Sequence, residues 1–206
     1  PAALLNIVGL QVPLFIMTRF YDSTAVGFFA LVNQVVLLPS GIISSAVSQV
    51  YFQDITERRH NRHRLTPLVI KIATKLLTIT IVQFVVLLLF APDLFVFIFG
   101  SQWKTAGEYA QILAVAFSLK FLVSSLSLIF FTTNKTKILS FWQSAYFVTV
   151  SSTLLIASKF NSMTFIKIYS VHETLMYLIY FYFIIRVSMQ DDRVNFSESA
   201  ETRELA

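Results

Sequence analysis

Apolar runs of eighteen or more residues recur along this chain, and they leave few folds open to it. Each run is long enough to cross a hydrocarbon core, which takes about 20 helical residues. Without water to bond to, the backbone inside lipid must satisfy its own polar groups, and runs of this length do so as helices. The polar breaks separate six expected spans, at about residues 2–20, 24–51, 68–90, 108–131, 138–158 and 164–186. The sequence therefore predicts an all-α integral membrane protein.

Composition agrees. The chain of 206 residues is 56% hydrophobic and 13% charged, with a mean hydropathy of +0.70, which no water-exposed surface tolerates. That excludes a soluble enzyme, and the absence of cysteine excludes disulfide and thiolate chemistry. There is no glycine-rich phosphate loop, no HExxH and no His/Asp/Glu cluster at ligand spacing. No catalytic residue, metal or cofactor is expected on those grounds. The net charge of +5 does not suggest nucleic acid, because the cations are dispersed between the spans instead of gathered on one face.

Those cations report orientation instead. Arg58, Arg59, Arg62, Arg64, Lys71, Lys75, Lys135, Lys137, Arg186, Arg193 and Arg203 fall on one side of the six spans. Only Arg19, Lys104, Lys159 and Lys167 fall on the other, which predicts both ends of the chain on the cytoplasmic side. The chain starts at Pro1 inside an apolar stretch that lacks the marks of a signal peptide, so it reads as a segment of a longer protein. Residues 1–187 are expected to form the membrane lobe. Residues 188–206, rich in acids, are expected to form a solvated, flexible cytoplasmic tail.

Local punctuation makes further expectations. Thr66 before Pro67 reads as an N-cap with proline at the first helical position. Pro92 to Gly100 reads as a separate short helix at the outer interface, capped by Asp93 and ended by the glycine. Trp103 is placed at headgroup depth, and Thr105 with Glu108 reads as a capping box. Pro13 and Pro39 lie inside spans, where they free the carbonyls of Gly9 and Val35 and predict kinks, either packing irregularities or hinges. The second span carries Asn33, Gln34, Ser40, Gly41, Ser44, Ser45, Ser48 and Gln49. Gly41 and Ser45, four apart, suggest a close helix contact, or else the polar set walls an aqueous cavity.

Lys120 carries the most functional information, because it sits near the midpoint of the fourth span, where an ammonium costs about 2.5–3.5 kcal/mol on insertion scales. With Ser124 at i+4 and Ser127 at i+7 it makes a polar stripe suited to water or an anionic ligand. The alternative is a lysine paired with a carboxylate of another helix. His172 and Glu173 are the other intramembrane ionisable residues. Glu173 is open to hydrogen bonding within the bundle, to pairing with Lys120, or to binding a coupling proton or sodium ion. Lys71 and Lys75 are expected to anchor at the headgroups, with anionic lipid as an unspecific attraction.

The stretch Arg19-Phe20-Tyr21-Asp22, then Val26-Gly27-Phe28-Phe29-Ala30-Leu31, Leu38-Pro39 and Ala46-Val47-Ser48-Gln49-Val50-Tyr51-Phe52 resembles the second half of bacterial polysaccharide flippases of the multidrug/oligosaccharidyl-lipid/polysaccharide exporter superfamily. Ala91-Pro92-Asp93-Leu94, Phe99-Gly100, Trp103, Ala106-Gly107, Tyr109-Ala110-Gln111-Ile112-Leu113 and Leu119-Lys120-Phe121 fit the same pattern. The resemblance implies one six-helix lobe of a MATE-like, two-lobed transporter in the bacterial inner membrane, its partner lobe lying N-terminal. It implies the flipping, by alternating access, of an undecaprenyl-pyrophosphate-linked oligosaccharide for surface polysaccharide. Lys120 would contact the pyrophosphate, with Arg19 a weaker second cation. The implied partners are the lipid-linked oligosaccharide, membrane lipids, the N-terminal lobe and polysaccharide-assembly proteins. An ion-coupled multidrug or small-solute exporter of the same fold is the first alternative. An integral-membrane glycosyltransferase, polymerase or ligase of envelope sugars is the second.

Overall fold

The computed structural model describes the backbone of residues 2–61 and 63–204 and the side chains of residues 7–61 and 63–193. Nine α-helical segments follow one another among the described residues: α1 (Ala2–Phe20), α2 (Ser23–Val32), α3 (Leu38–His60), α4 (Thr66–Phe99), α5 (Lys104–Ile112), α6 (Ala114–Leu126), α7 (Ile129–Thr132), α8 (Thr136–Ala157) and α9 (Ser162–Glu204). No strand occurs among those residues.

All six expected spans are helical, but they are not alike. Four continuous stretches, Ser23–His60, Thr66–Phe99, Ala114–Thr132 and Ser162–Arg193, are long and apolar enough to cross a membrane, and Ile7–Phe20 is a shorter apolar helix. The fifth expected span, α8, has the length at 22 residues, but Gln143, Ser144, Thr149, Ser151, Ser152 and Thr153 dilute its apolar character. Large apolar side chains point outward, Phe97 at 88% and Ile42 and Phe141 at 71% exposure, as helices solvated by lipid allow. α6 is the central helix: 61% of its apolar window is buried, against 17–33% for the other three. It packs against α3, α4 and α9, while α1 lies along α8.

The polar ends sort as the cation count predicts. Arg59 at the end of α3 donates to the Thr132 carbonyl at the end of α7 and pairs with Asp191 of α9 at 3.5 Å, which gathers the cation-rich connections at one end. At the other end the Tyr21 hydroxyl donates to the Phe160 carbonyl at 2.8 Å, and Phe28 meets Trp103 and Tyr109 edge-on. Arg19, Lys104 and Lys159 belong to this end.

Several local expectations are corrected, each by a tertiary partner. Pro92 does not begin a separate helix and Asp93 caps nothing: α4 runs unbroken for 34 residues and ends only at Gly100, whose φ of 99° is glycine territory. Proline frees the carbonyl four residues back, here Leu88, and the Gln111 amide of α5 donates to it at 2.6 Å. Gly107 makes that approach feasible, since a Cβ there would lie 2.4 Å from Pro92 Cα and 2.7 Å from the Ala91 oxygen.

Thr105 and Glu108 form no capping box, because α5 already starts at Lys104, out of a 3-10 turn at Ser101–Trp103 whose backbone bonds replace the side-chain cap. Nor is Thr66 the N-cap of α4: it is the first helical residue. Asp192 on α9 accepts from the Leu65 and Thr66 amides at 2.5 and 3.0 Å, an anion seated at a helix N-terminus. α9 therefore continues past the expected start of the tail. Ser188 and Asp191 are buried, and the acids Glu198, Glu201 and Glu204 have side chains outside the described residues.

At Pro39 the chain inserts a π turn, Asn33–Leu37, between α2 and α3, and α1 stays helical through the buried Pro13. The close helix contact uses Ser44 and Ser48 instead of Gly41 and Ser45, which are exposed, with nothing within 4 Å of a Cβ placed at Gly41. Ser44 bonds Ser124 and Ser125 at 3.1 and 3.0 Å, and Ser48 donates to the Ser125 carbonyl at 3.1 Å.

Two stability effects are expected in thermal unfolding of detergent-solubilised protein. Gln111→Leu strands the Leu88 carbonyl and lowers stability by about 1–3 kcal/mol. Asp192→Ala uncaps α4 at about 1–2 kcal/mol, whereas Asp192→Asn, which keeps one acceptor oxygen, loses less.

Candidate functional site: a lysine between two voids

The fourth expected span is interrupted between α6 and α7, where its serines lie. Ser124 and Ser125 both turn their hydroxyls back to the Phe121 carbonyl, at 3.1 and 2.9 Å, and Ser127 donates to the Ser124 carbonyl at 2.8 Å. Hydroxyls that compete for backbone carbonyls loosen a helix, and here α6 gives way to 3.3 Å backbone bonds at Ser127 and Phe130 before α7 resumes. Lys120 sits one turn before this break, half-buried.

Two voids meet at that lysine. One, of about 460 Å³, is lined by Lys120, Ser124 and Ser127 together with Trp142, Gln143, Tyr146, Tyr177 and Tyr180. The other, of about 410 Å³, is lined by Lys120 with Gln11, Asn33, Gln34, Phe29 and Tyr169. Among the described residues no carboxylate lies within 4 Å of the Lys120 ammonium, although it feels the charge of Glu173 from farther off.

Glu173 is only 2% exposed, and its partners are a phenol hydroxyl and an imidazole. The Tyr146 hydroxyl donates to Oε1 at 2.8 Å, and His172 Nδ1 lies 3.3 Å from the same oxygen. His172 Nε2 reaches the Thr149 hydroxyl at 3.2 Å, and that hydroxyl donates to the Tyr146 carbonyl at 3.1 Å. Glu173 is hydrogen-bonded inside the bundle and makes no direct pair with Lys120. An aromatic stack closes one side of the larger void: Trp142 lies parallel to Tyr180 at 5.1 Å, and Tyr180 to Phe130 at 5.5 Å.

The fold thus brings together Lys120, Ser124 and Ser127, and sets Glu173 and His172 behind Tyr146. It does not bring Arg19 to this place: Arg19 is exposed at the end of α1, its guanidinium 5.7 Å from the ring of Phe20, and it lines neither void. Pro13 and Pro39 line neither as well. Gln11, Trp142, Gln143 and Tyr146 were missed from sequence. The signal was there in Trp142-Gln143 and Tyr146, large polar side chains one turn apart within a span. Chemically, the arrangement offers a fixed cation, hydroxyl and amide donors and aromatic walls.

An all-helical bundle with apolar exterior and an ionisable interior defines a membrane protein, and the comparison with known families makes it specific. A family model described as polysaccharide biosynthesis protein matches residues 2–108, more than half of the chain. The chain belongs to this family of polysaccharide-exporter type, as its sequence resemblance implied. No curated protein sequence and no solved structure matches it significantly.

Because the chain has no cysteine, hydration of the larger void is directly readable. Ser124→Cys is expected to react with a water-soluble maleimide about tenfold faster than Val123→Cys, whose position is fully buried, since only a hydrated thiol ionises readily.

Proposed function

We propose that this chain is the C-terminal six-helix lobe of a transporter that flips an undecaprenyl-pyrophosphate-linked oligosaccharide for surface polysaccharide synthesis. It works by alternating access with an N-terminal lobe in the bacterial inner membrane. The cation-rich end, with both chain ends, faces the cytoplasm under the positive-inside rule. Lys120 receives the diphosphate, and Ser124 and Ser127 add hydroxyl donors. Pro13 and Pro39 are hinge positions. Arg19 anchors its helix at the interface, since it lies away from the voids. The remaining partners are bilayer lipids and proteins of polysaccharide assembly.

The observation that carries this reading is Lys120 itself, an ammonium in the middle of the most buried apolar helix, opening into two voids with no carboxylate within 4 Å among the described residues. Holding a charge there costs stability, and a diphosphate crossing hydrocarbon needs just such a fixed counter-charge along a hydrated path. The neighbouring helix break supports it too, because interrupted helices mark the midplane sites of transporters. Family membership supports polysaccharide export as the setting.

The test is Lys120→Ala in the full-length protein. Losing a charge-assisted contact of about 1.5–3 kcal/mol predicts export of surface polysaccharide lowered about tenfold or more at unchanged protein abundance. Lys120→Arg should retain more export than Lys120→Met. Full export by the alanine variant removes Lys120 from the mechanism. For an ion-coupled exporter, the alternative, the sensitive residue is Glu173. Its enclosure by Tyr146 and His172 leads us to expect that Glu173→Gln leaves the pH and sodium dependence of transport unchanged.

A further inference from the structure

At the cation-rich end, a groove of about 860 Å³ opens between the connection after α3, the first turns of α4 and the extension of α9. It shares no lining residue with the two voids at Lys120. Arg64, Lys71 and Arg193 line it with Asp192, and Ile70 and Met189 form its apolar wall. Lys71 and Arg193 alone outnumber the one carboxylate of the lining, whose two oxygens accept from the Leu65 and Thr66 amides, so the groove keeps an excess of positive charge. Among the described residues neither Lys71 nor Arg193 has an ion pair within 4 Å.

The apolar wall does not end at the groove. Ile70 continues along α4 to Leu77 and Ile81, at i+7 and i+11 on one helical face, all 44–51% exposed. A soluble phosphate would use the cations and leave this track unexplained, whereas a phospholipid uses both, its phosphate among the cations and an acyl chain down the track. Basic pockets between helices at the membrane boundary have the chemistry for anionic headgroups.

We propose that this groove holds an anionic phospholipid of the bilayer, clipped between Lys71 of α4 and Arg193 of α9. The bound lipid bridges the α9 extension to the start of α4, supplementing the Asp192 cap. The site is independent of the transport reading and stands or falls separately from it.

Native mass spectrometry of the full-length protein in detergent, titrated with phosphatidylglycerol or phosphatidylcholine of equal chain length, tests the site. The wild type should retain phosphatidylglycerol about fivefold over phosphatidylcholine, in keeping with a few surface cations acting together. The pair Lys71→Gln and Arg193→Gln should bring the ratio close to one. Lys75→Gln removes a cation one turn farther along α4 that does not line the groove, and should leave the ratio intact. Lys71→Arg with Arg193→Lys, which keeps both charges, should preserve it. Four results would overturn the proposal: equal retention of the two lipids by the wild type, an equal loss from Lys75→Gln, loss in the charge-preserving pair, or displacement by millimolar glycerol phosphate as effective as by the lipid.

Discussion

Inside a bundle solvated by lipid, every backbone group that loses its helical partner must find another within the protein, and this single requirement shapes the joints of the structure. Pro92 frees the Leu88 carbonyl, and Gln111 crosses from α5 to take it. The amides that begin α4 have no preceding turn, and Asp192 crosses from α9 to accept from them. Arg59 reaches the Thr132 carbonyl where α7 stops. Each solution joins elements distant in sequence, so the bonds that complete individual helices also fix how the helices stand against one another.

The same rule explains where the bundle tolerates irregularity. The π turn at Asn33–Leu37 and the broken segment from Ser124 to Ser127 both border the voids beside Lys120 or the helix contact next to them. Non-helical backbone at such depth needs polar company, and here hydroxyls, amides and room for water provide it. The α3–α6 contact is built from Ser44, Ser48 and Ser125, whose small side chains let the two helices close up while their hydroxyls bond across. Polar chemistry in this molecule is therefore concentrated along one seam of an otherwise apolar bundle.

Within that seam the two ionisable groups are treated differently. Glu173 is enclosed, its Oε1 accepting from the Tyr146 hydroxyl and lying beside His172 Nδ1. Lys120 is held close enough to sense it but is left facing open space. A direct ion pair would have neutralised both and closed the seam. Separating them leaves a cation exposed at the junction of the two voids.

From its sequence alone the chain is legible as an all-helical membrane protein with its cations gathered at one end, because the length of apolar runs and the placement of lysine and arginine are local properties. Lys120, Ser124 and Ser127 were legible for the same reason, being spaced along one helix. What the tertiary structure decided is everything that depends on a partner. Pro92 reads locally as a helix start, and only the Gln111 amide shows why α4 runs through it. Thr66 reads as a cap, but a carboxylate from the far end of the chain reaches both amides and displaces it from that role. Gly41 and Ser45 have the spacing of a packing face, yet the neighbouring turn with Ser44 and Ser48 meets α6, since spacing names a face without saying which way it points. Whether Lys120 pairs with Glu173 was likewise undecidable from spacing, and the answer lies in Tyr146 and His172, which occupy the carboxylate first.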